Sequence, residues 1–250
     1  MKAVCNTDRG KVRNHNEDSI GIFYGEKQLL GVVADGMGGH AAGDVASRMA
    51  LEVVKRKWKE VTGGFTKQEA VDWLNQLVRS INVHLYNYSL SHMECRGMGT
   101  TIAAALCRKE YVAVTAVGDS RIYLSQKGKP IRQITEDHTL VNELVKSGQI
   151  SKEDAEDHPK KHILIRALGT EPAIELDTSI IQWSEGCQII ICSDGLSNKL
   201  SDETLNGILE NESTTLQEKT EKMIQEANTA GGEDNISMII VSYDGDGEVI

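Results

Sequence analysis

Four acidic residues sit where apolar runs begin or end in this 250-residue chain. Asp35 closes Leu30-Gly-Val-Val-Ala and is followed by Gly36. Asp119 follows the run that starts at Val112. Asp194 closes the run from Gln188 and is followed by Gly195. Asp234 stands just ahead of a last apolar run, in Gly231-Gly-Glu-Asp-Asn235. Near the N-terminus, Arg13-Asn-His-Asn-Glu17-Asp18 sets a guanidinium beside two adjacent carboxylates. Taken singly, each Asp-Gly reads as a turn dipeptide. Taken together they have a second reading. If those ends meet, the carboxylates converge and raise one another's pKa unless positive charge sits among them. Oxygen donors without Cys or His at metal spacing suit hard cations such as Mg²⁺ or Mn²⁺. Two such ions about 4 Å apart are the usual apparatus for attacking a phosphate with water. A guanidinium fork such as that of Arg13 matches phosphate oxygens, although on its own an ion pair with Glu17 or Asp18 is the plainer reading.

Elements able to bring these residues together are visible in the pattern. Apolar, β-branched runs predict strands at 29–34, 101–106, 112–117, 174–181, 188–192 and 236–241. The short polar link between the second and third predicts an antiparallel hairpin. Spacings of three and four predict two long helices, one through Ala46, Met49, Ala50, Val53, Val54, Trp58 and Val61, the other through Ala70, Leu74, Leu77, Ile81, Leu85 and Tyr88. Thr66 and Glu69 form a capping-box pattern ahead of the second. A third helix is expected over 215–229, stopped by Gly231-Gly232. Strands and helices segregate, which favours a layered α+β fold. Residues 138–165 are polar and poor in strand signals, with Ser151 and Asp154 as a small capping box. They read as a surface subdomain inserted between strands.

Composition narrows the function classes. The chain has 37 acidic against 27 basic side chains and a formal charge of −10. That balance argues against broad binding to nucleic acid or anionic membrane. Hydrophobic residues at 40% and charged residues at 26% exclude disorder and collagen as overall descriptions. The five scattered cysteines form no C-x-x-C pair and read as reduced thiols of a cytoplasmic protein. No apolar h-region follows the N-terminus, so no secretory signal is expected. The longest apolar run, 102–107, falls far short of the roughly 18 residues of a membrane span. No exposed heptad points to a coiled-coil dimer, and a monomer is expected.

The motifs resemble those of the metal-dependent protein serine/threonine phosphatases of type 2C. The matching segments are Arg13-Asn-His-Asn-Glu-Asp18, Val33-Ala-Asp-Gly-Met-Gly-Gly-His-Ala-Ala-Gly43, Gly97-Met-Gly-Thr-Thr101, Val117-Gly-Asp-Ser-Arg121, Cys192-Ser-Asp-Gly-Leu196 and Gly232-Glu-Asp-Asn-Ile236. They fall in the family's order along essentially the whole chain. The form Asp-Gly-Met-Gly-Gly-His is similar to the bacterial branch, in particular its small Gram-positive members. The resemblance implies a four-layer α-β-β-α sandwich, two antiparallel sheets flanked by helices, as one catalytic domain over 1–245 with a tail at 246–250. The insert at 138–165 corresponds to the family's flap beside the active site.

The resemblance also assigns roles. Asp35 would bridge two Mn²⁺ or Mg²⁺ ions, and the Gly36 carbonyl, Asp194 and Asp234 would complete the ligands. Glu17 and Asp18 would hold metal-bound waters, Arg13 would bind the substrate phosphate, and Asp119 would help hold a third, weaker ion. The implied partners are phosphoproteins, among them a bacterial Ser/Thr kinase. The implied reaction is direct in-line hydrolysis of phosphoserine and phosphothreonine. None of the cysteines is followed six positions later by Arg, so the C-x₅-R pattern of cysteine phosphatases is absent. One departure stands out: Met37 occupies the position where animal members carry His. His40 is a candidate replacement as general acid, against the plainer reading of a loop histidine. His15, His138, His158 and His162 carry no motif and are assigned solvent or structural roles. Two rival readings remain at this point. One is a catalytically inactive relative acting as a binding module. The other is dinucleotide binding, since Gly36 to Ala41 fits G-x-G-x-x-A, although Asp35 would oppose a pyrophosphate.

Overall fold

Eleven strands form two antiparallel sheets in the computed structural model, which describes residues 1–38, 42–156 and 158–244. In chain order they are β1 (Lys2–Asp8), β2 (Asp18–Gly25), β3 (Gln28–Met37), β4 (Gly99–Thr100), β5 (Ile102–Arg108), β6 (Val112–Val117), β7 (Arg121–Gln126), β8 (Arg132–Gln133), β9 (Asp177–Ile181), β10 (Cys187–Cys192) and β11 (Ile236–Ser242). The first sheet runs β1-β11-β10-β7-β8. The second runs β2-β3-β5-β6-β9, with β4 paired to the end of β3. The α-helices are α1 (Ala42–Lys59), α2 (Lys67–Ser91), α3 (Leu140–Lys146), α4 (Lys152–Glu156), α5 (Asp194–Ser197), α6 (Asp202–Leu209) and α7 (Leu216–Thr229).

The two-residue period of the strands decides the layering. Ile189 and Ile191 of β10 pack inward against Leu29, Val33, Ala103 and Ala105 of the opposite sheet. Their neighbours Ile190 and Cys192 face outward onto Leu205, Met223, Ile224 and Ala227 of α6 and α7. In β3 and β5, Leu30, Val32, Ala104 and Leu106 face the other way, onto Ala46, Ala50, Val53, Leu74 and Ile81 of α1 and α2. Three apolar cores stacked in this way give the α-β-β-α sandwich. Each fully buried Leu or Ile contributes about 1.5–3 kcal/mol relative to exposure.

Several local expectations hold. β5 and β6 are the antiparallel hairpin, with Cys107 opposite Val112. The Thr66 hydroxyl accepts from the Glu69 N–H and the Glu69 carboxylate accepts from the Thr66 N–H, so the capping box opens α2. Ser151 and Asp154 make the same reciprocal pair ahead of α4. The run at 174–181 becomes a strand only from Asp177, while Ile174 and Leu176 pack sideways onto the helix-side core. The run at 29–34 does not stop at Asp-Gly. β3 carries on through Asp35 and Gly36 to Met37, because β2 and β4 pair with it there and leave no room for a turn. The expected tail at 246–250 lies outside the described residues.

Candidate active site

Register brings the first two acids together. Asp18 of β2 lies directly opposite Asp35 of β3. Asp119 lies two residues beyond β6, Asp194 opens α5 at the end of β10, and Asp234 precedes β11, the neighbour of β10. All five acids therefore gather at one end of the sandwich. Arg13, Glu17, Asp35, Gly36, Asp119, Asp194 and Asp234 line a single cleft of about 680 Å³. Asp18 stands behind them, its Oδ2 accepting from the Ser193 hydroxyl at 2.8 Å. Met37 also lines the cleft. His40 lies outside the described residues.

Gly36 is required here for a steric reason. A Cβ at this position would collide with the carbonyls of Gly43 and Glu17. The start of α1 and the Glu17 backbone thus close onto the strand, and the Glu17 carbonyl accepts from the Gly36 N–H at 3.1 Å. Asp35 is gripped from the other side by the β4–β5 segment. Its N–H donates to the Thr101 hydroxyl at 3.0 Å, and its carbonyl accepts from the Thr100 hydroxyl at 2.8 Å and the Thr101 N–H at 2.9 Å.

The acids are open to the cleft on one side and surrounded by protein on the others. Burial, then its acidic neighbours Asp194 and Asp234, carries Asp18 from its ordinary 3.8 up to about 7, against the hydroxyl bonds of Ser237 and Ser193 that hold it down. Asp119 rises to about 7, first through burial, then through Asp194 and Asp137. Asp35 is pushed well above the carboxylate range by burial and then by Asp18, Asp194, Asp119 and Asp234. Burial and Asp234 raise Asp194 as well. Glu17 is raised by burial, which outweighs Arg13 beside it. Such a concentration of acid calls for positive charge.

Two features of the donor set suit a hard cation. Every donor is oxygen, as Mg²⁺ and Mn²⁺ prefer. Asp18 Oδ1 and Asp194 Oδ1 are buried with no hydrogen-bond partner, a costly state unless something polar faces them. Among the described residues no three acid, imidazole or thiol groups stand close enough together to hold a metal ion as they are placed. Part of the donor capacity is engaged within the protein: Arg13 Nη2 donates to Asp234 Oδ2 at 2.8 Å, and Asn198 Nδ2 to Asp194 Oδ2 at 3.0 Å. The residues fit the group in chemistry and in unmet hydrogen-bonding capacity.

Comparison with known proteins decides the family. The protein phosphatase 2C profile matches residues 8–238. The chain belongs to the protein phosphatase 2C family. It is 46% identical over 245 residues to the serine/threonine phosphatase stp of Listeria monocytogenes, covering 98% of this chain and 96% of that one. Its fold matches the crystal structure of serine/threonine phosphatase Stp1 from Staphylococcus aureus with a TM-score of 0.91 at 35% identity, over 98% of this chain and 95% of the other. It also matches the catalytic domain of the phosphatase PstP, solved in complex with two manganese ions, with a TM-score of 0.82 at 33% identity and 96% coverage of each chain. The four-layer fold, the Gram-positive branch and the enzyme class read from the motifs are thereby established: this is a protein-serine/threonine phosphatase. The inactive-relative reading finds no support.

The phosphatase carries site residues that spacing did not reveal. Lys161, His162 and Leu164 from the 138–165 insert line the same cleft. His162 is near enough to Asp194 to hold its pKa down. The structure places this exposed histidine, expected only in a solvent or structural role, on the cleft wall, because the polar insert folds back over the acids, a placement only tertiary structure sets. His138 is structural. Its Nδ1 accepts from the Gly118 N–H at 3.2 Å and its Nε2 faces Asp177 Oδ2 at 3.2 Å. Burial and then Arg166 push its pKa down, so it serves as a neutral strut. Ser193 and Thr101 support Asp18 and Asp35. Both lie inside the family motifs, but nothing in the sequence marks which motif residue points at an acid.

Proposed function

We propose that this phosphatase removes phosphate from phosphoserine and phosphothreonine in proteins by direct hydrolysis in the acidic cleft. The observation that carries the proposal is the convergence of Asp18, Asp35, Asp119, Asp194 and Asp234 beside Arg13 in a chain 46% identical to a serine/threonine phosphatase. Asp35, the Gly36 carbonyl, Asp194 and Asp234 would hold two Mn²⁺ or Mg²⁺ ions, and Asp119 would contribute to a third. When bound, such ions lower the pKa of the attacking water and neutralise charge developing on the phosphoryl group.

The protein's own residues do the rest. Arg13, half-exposed at the cleft rim, presents a planar fork to the phosphoryl oxygens. Asp18 and Glu17 hold and orient water through their carboxylates. Asp18 keeps one oxygen for that purpose, because Ser193 engages the other. No protein nucleophile is needed. Cys95, Cys107, Cys187 and Cys192 are buried, burial pushes the Cys192 thiol up to about 12, and none of the five cysteines lines the cleft.

The insert at 138–165, as a flap forming one wall, would contact the protein around the phosphorylated residue. The substrates proposed include an opposing bacterial Ser/Thr kinase, and the working unit proposed is a cytoplasmic monomer comprising one catalytic domain. Among the described residues no helix is long and apolar enough to cross a membrane.

The test is turnover of phosphoserine and phosphothreonine peptides with Mn²⁺, with Mg²⁺ and with EDTA. Turnover with either ion and none with EDTA is expected. EDTA-insensitive turnover, or full activity in Asp35→Ala, contradicts the proposal.

A further inference from the structure

We propose that Asn235 is the positioning residue of the phosphate site, holding in place the loop that carries Arg13. The inference rests on the reading of Arg13 as the phosphate-binding group. Arg13 lies in the connection between β1 and β2, a segment with no regular structure of its own. One carboxamide fastens that segment at three points. Asn235 Nδ2 donates to the Arg9 carbonyl at 2.8 Å and to the His15 carbonyl at 2.9 Å, and Asn235 Oδ1 accepts from the Glu17 N–H at 2.8 Å. The residue is 5% exposed. Both its donor hydrogens and its acceptor are thus used in a buried place, where an unmade bond is most costly.

The three anchored residues bracket Arg13, with Arg9 on one side and His15 and Glu17 on the other. Neighbouring contacts reinforce the bracket from the same strip of chain. The Gly232 carbonyl accepts from the Lys11 N–H at 2.7 Å and the Val12 N–H at 3.3 Å. Gly10, at φ +77°, packs against the Asp234 backbone so closely that a Cβ would collide with it. Asp234 itself receives the Arg13 guanidinium. Residues 232–235 therefore act as the bed on which the Arg13 loop lies, and the Asn235 side chain grips both of its ends from outside, beside the loop's own Arg9–Asn14 and Asn16–Thr7 bonds. A guanidinium on a loose loop would lose more of its freedom on binding phosphate, and a weaker phosphate site follows.

The experiment measures the inhibition constant of inorganic phosphate against p-nitrophenyl phosphate turnover at saturating Mn²⁺. It compares the full chain, Asn235→Ala, Arg13→Ala and the double variant, and it follows amide hydrogen exchange over residues 9–17 in chelator-treated protein. Asn235→Ala is expected to raise that constant about 10-fold and to speed exchange at the Glu17 amide. In the double variant the effect of Asn235→Ala is expected to vanish, since it acts through Arg13. Asn235→Asp keeps the acceptor for Glu17 but aims a carboxylate oxygen at two carbonyls. It carries the same expectation for phosphate and stands in if Asn235→Ala does not fold. A purely structural Asn235 would lower the unfolding temperature and leave phosphate inhibition unchanged, which overturns the proposal. So does an effect that multiplies undiminished with Arg13→Ala. Unchanged phosphate inhibition in Arg13→Ala overturns the reading of Arg13 itself and this proposal with it.

Discussion

Asp35 and His162 face the same cleft from supports of opposite kind. Asp35 belongs to an interior strand, paired on both sides and backed by cores on both faces of its sheet. His162 belongs to a segment of short helices in which α3 buries only Val141 and α4 buries nothing. That segment is fastened mainly at its base. Arg121 grips Asp137 with two nitrogens, at 3.0 and 2.7 Å, and the Leu140 N–H donates to the Ile163 carbonyl at 2.8 Å. The contrast divides the labour. On the proposed reading, chemistry that tolerates little misplacement would sit on the sheet ends, and contacts that adapt to varied protein substrates would sit on the weakly buried wall.

Changes to the two walls should therefore have different signatures. The largest effect is expected at the floor. Asp35→Ala should lower kcat by about 10³-fold or more on any phosphomonoester, with unchanged circular dichroism. Residual activity near the native level would remove Asp35 from the machinery.

A second effect is a pH signature that only the floor should show. In the unfolded chain the carboxyls of Asp18 and Asp119 ionise near 3.8, and in the folded chain near 7. Between those values the folded state binds more protons, so stability falls as pH rises. Cation-free protein is expected to unfold at a lower temperature at pH 8 than at pH 5, and Mn²⁺ should abolish that decline. Thermal melts by circular dichroism check it. A cation-free protein that gains stability from pH 5 to pH 8 would speak against a strained acidic floor.

At the roof, Lys161→Ala and His162→Ala are expected to change p-nitrophenyl phosphate turnover less than about 10-fold and phosphopeptide turnover more, because a phosphopeptide offers more surface to the flap than a small substrate does. Equal losses on both substrates would place these residues in the chemistry and blur the contrast. The smallest effect lies far from both walls. Thr66→Ala should cost about 1 kcal/mol of stability through the lost cap on α2 and leave kcat unchanged. A denaturant melt read beside an activity assay tests it.

What the sequence disclosed follows the same division. β5, β6, β10 and β11 are apolar on both faces and were legible as runs. β1 and β2 are not legible as strands in the sequence. β1 is an edge strand reading Lys-Ala-Val-Cys-Asn-Thr-Asp, half open to solvent, and its polar residues dilute the alternation. The capping box of Thr66 was legible because it is local, four residues of chain closing on themselves. His162 was not, because its place depends on how the insert folds back over the acids. Asp35 was legible as a site residue but misread as a strand end, since nothing in the chain marks that β2 and β4 pair with it there. Asn235 lies inside a family motif that assigns it no role. A role for it requires knowing that residues 9–17 cross beside it.

On this reading the acids at the sheet ends form one cation-binding floor. Calorimetric titration of the chelator-treated protein with Mn²⁺ near pH 7, in two buffers of different ionisation enthalpy, tests it most directly. At least two ions bound per chain with release of protons from the raised carboxyls are expected, and loss of that proton-linked binding in Asp35→Asn. Binding without proton release, or binding that Asp35→Asn leaves intact, would contradict it.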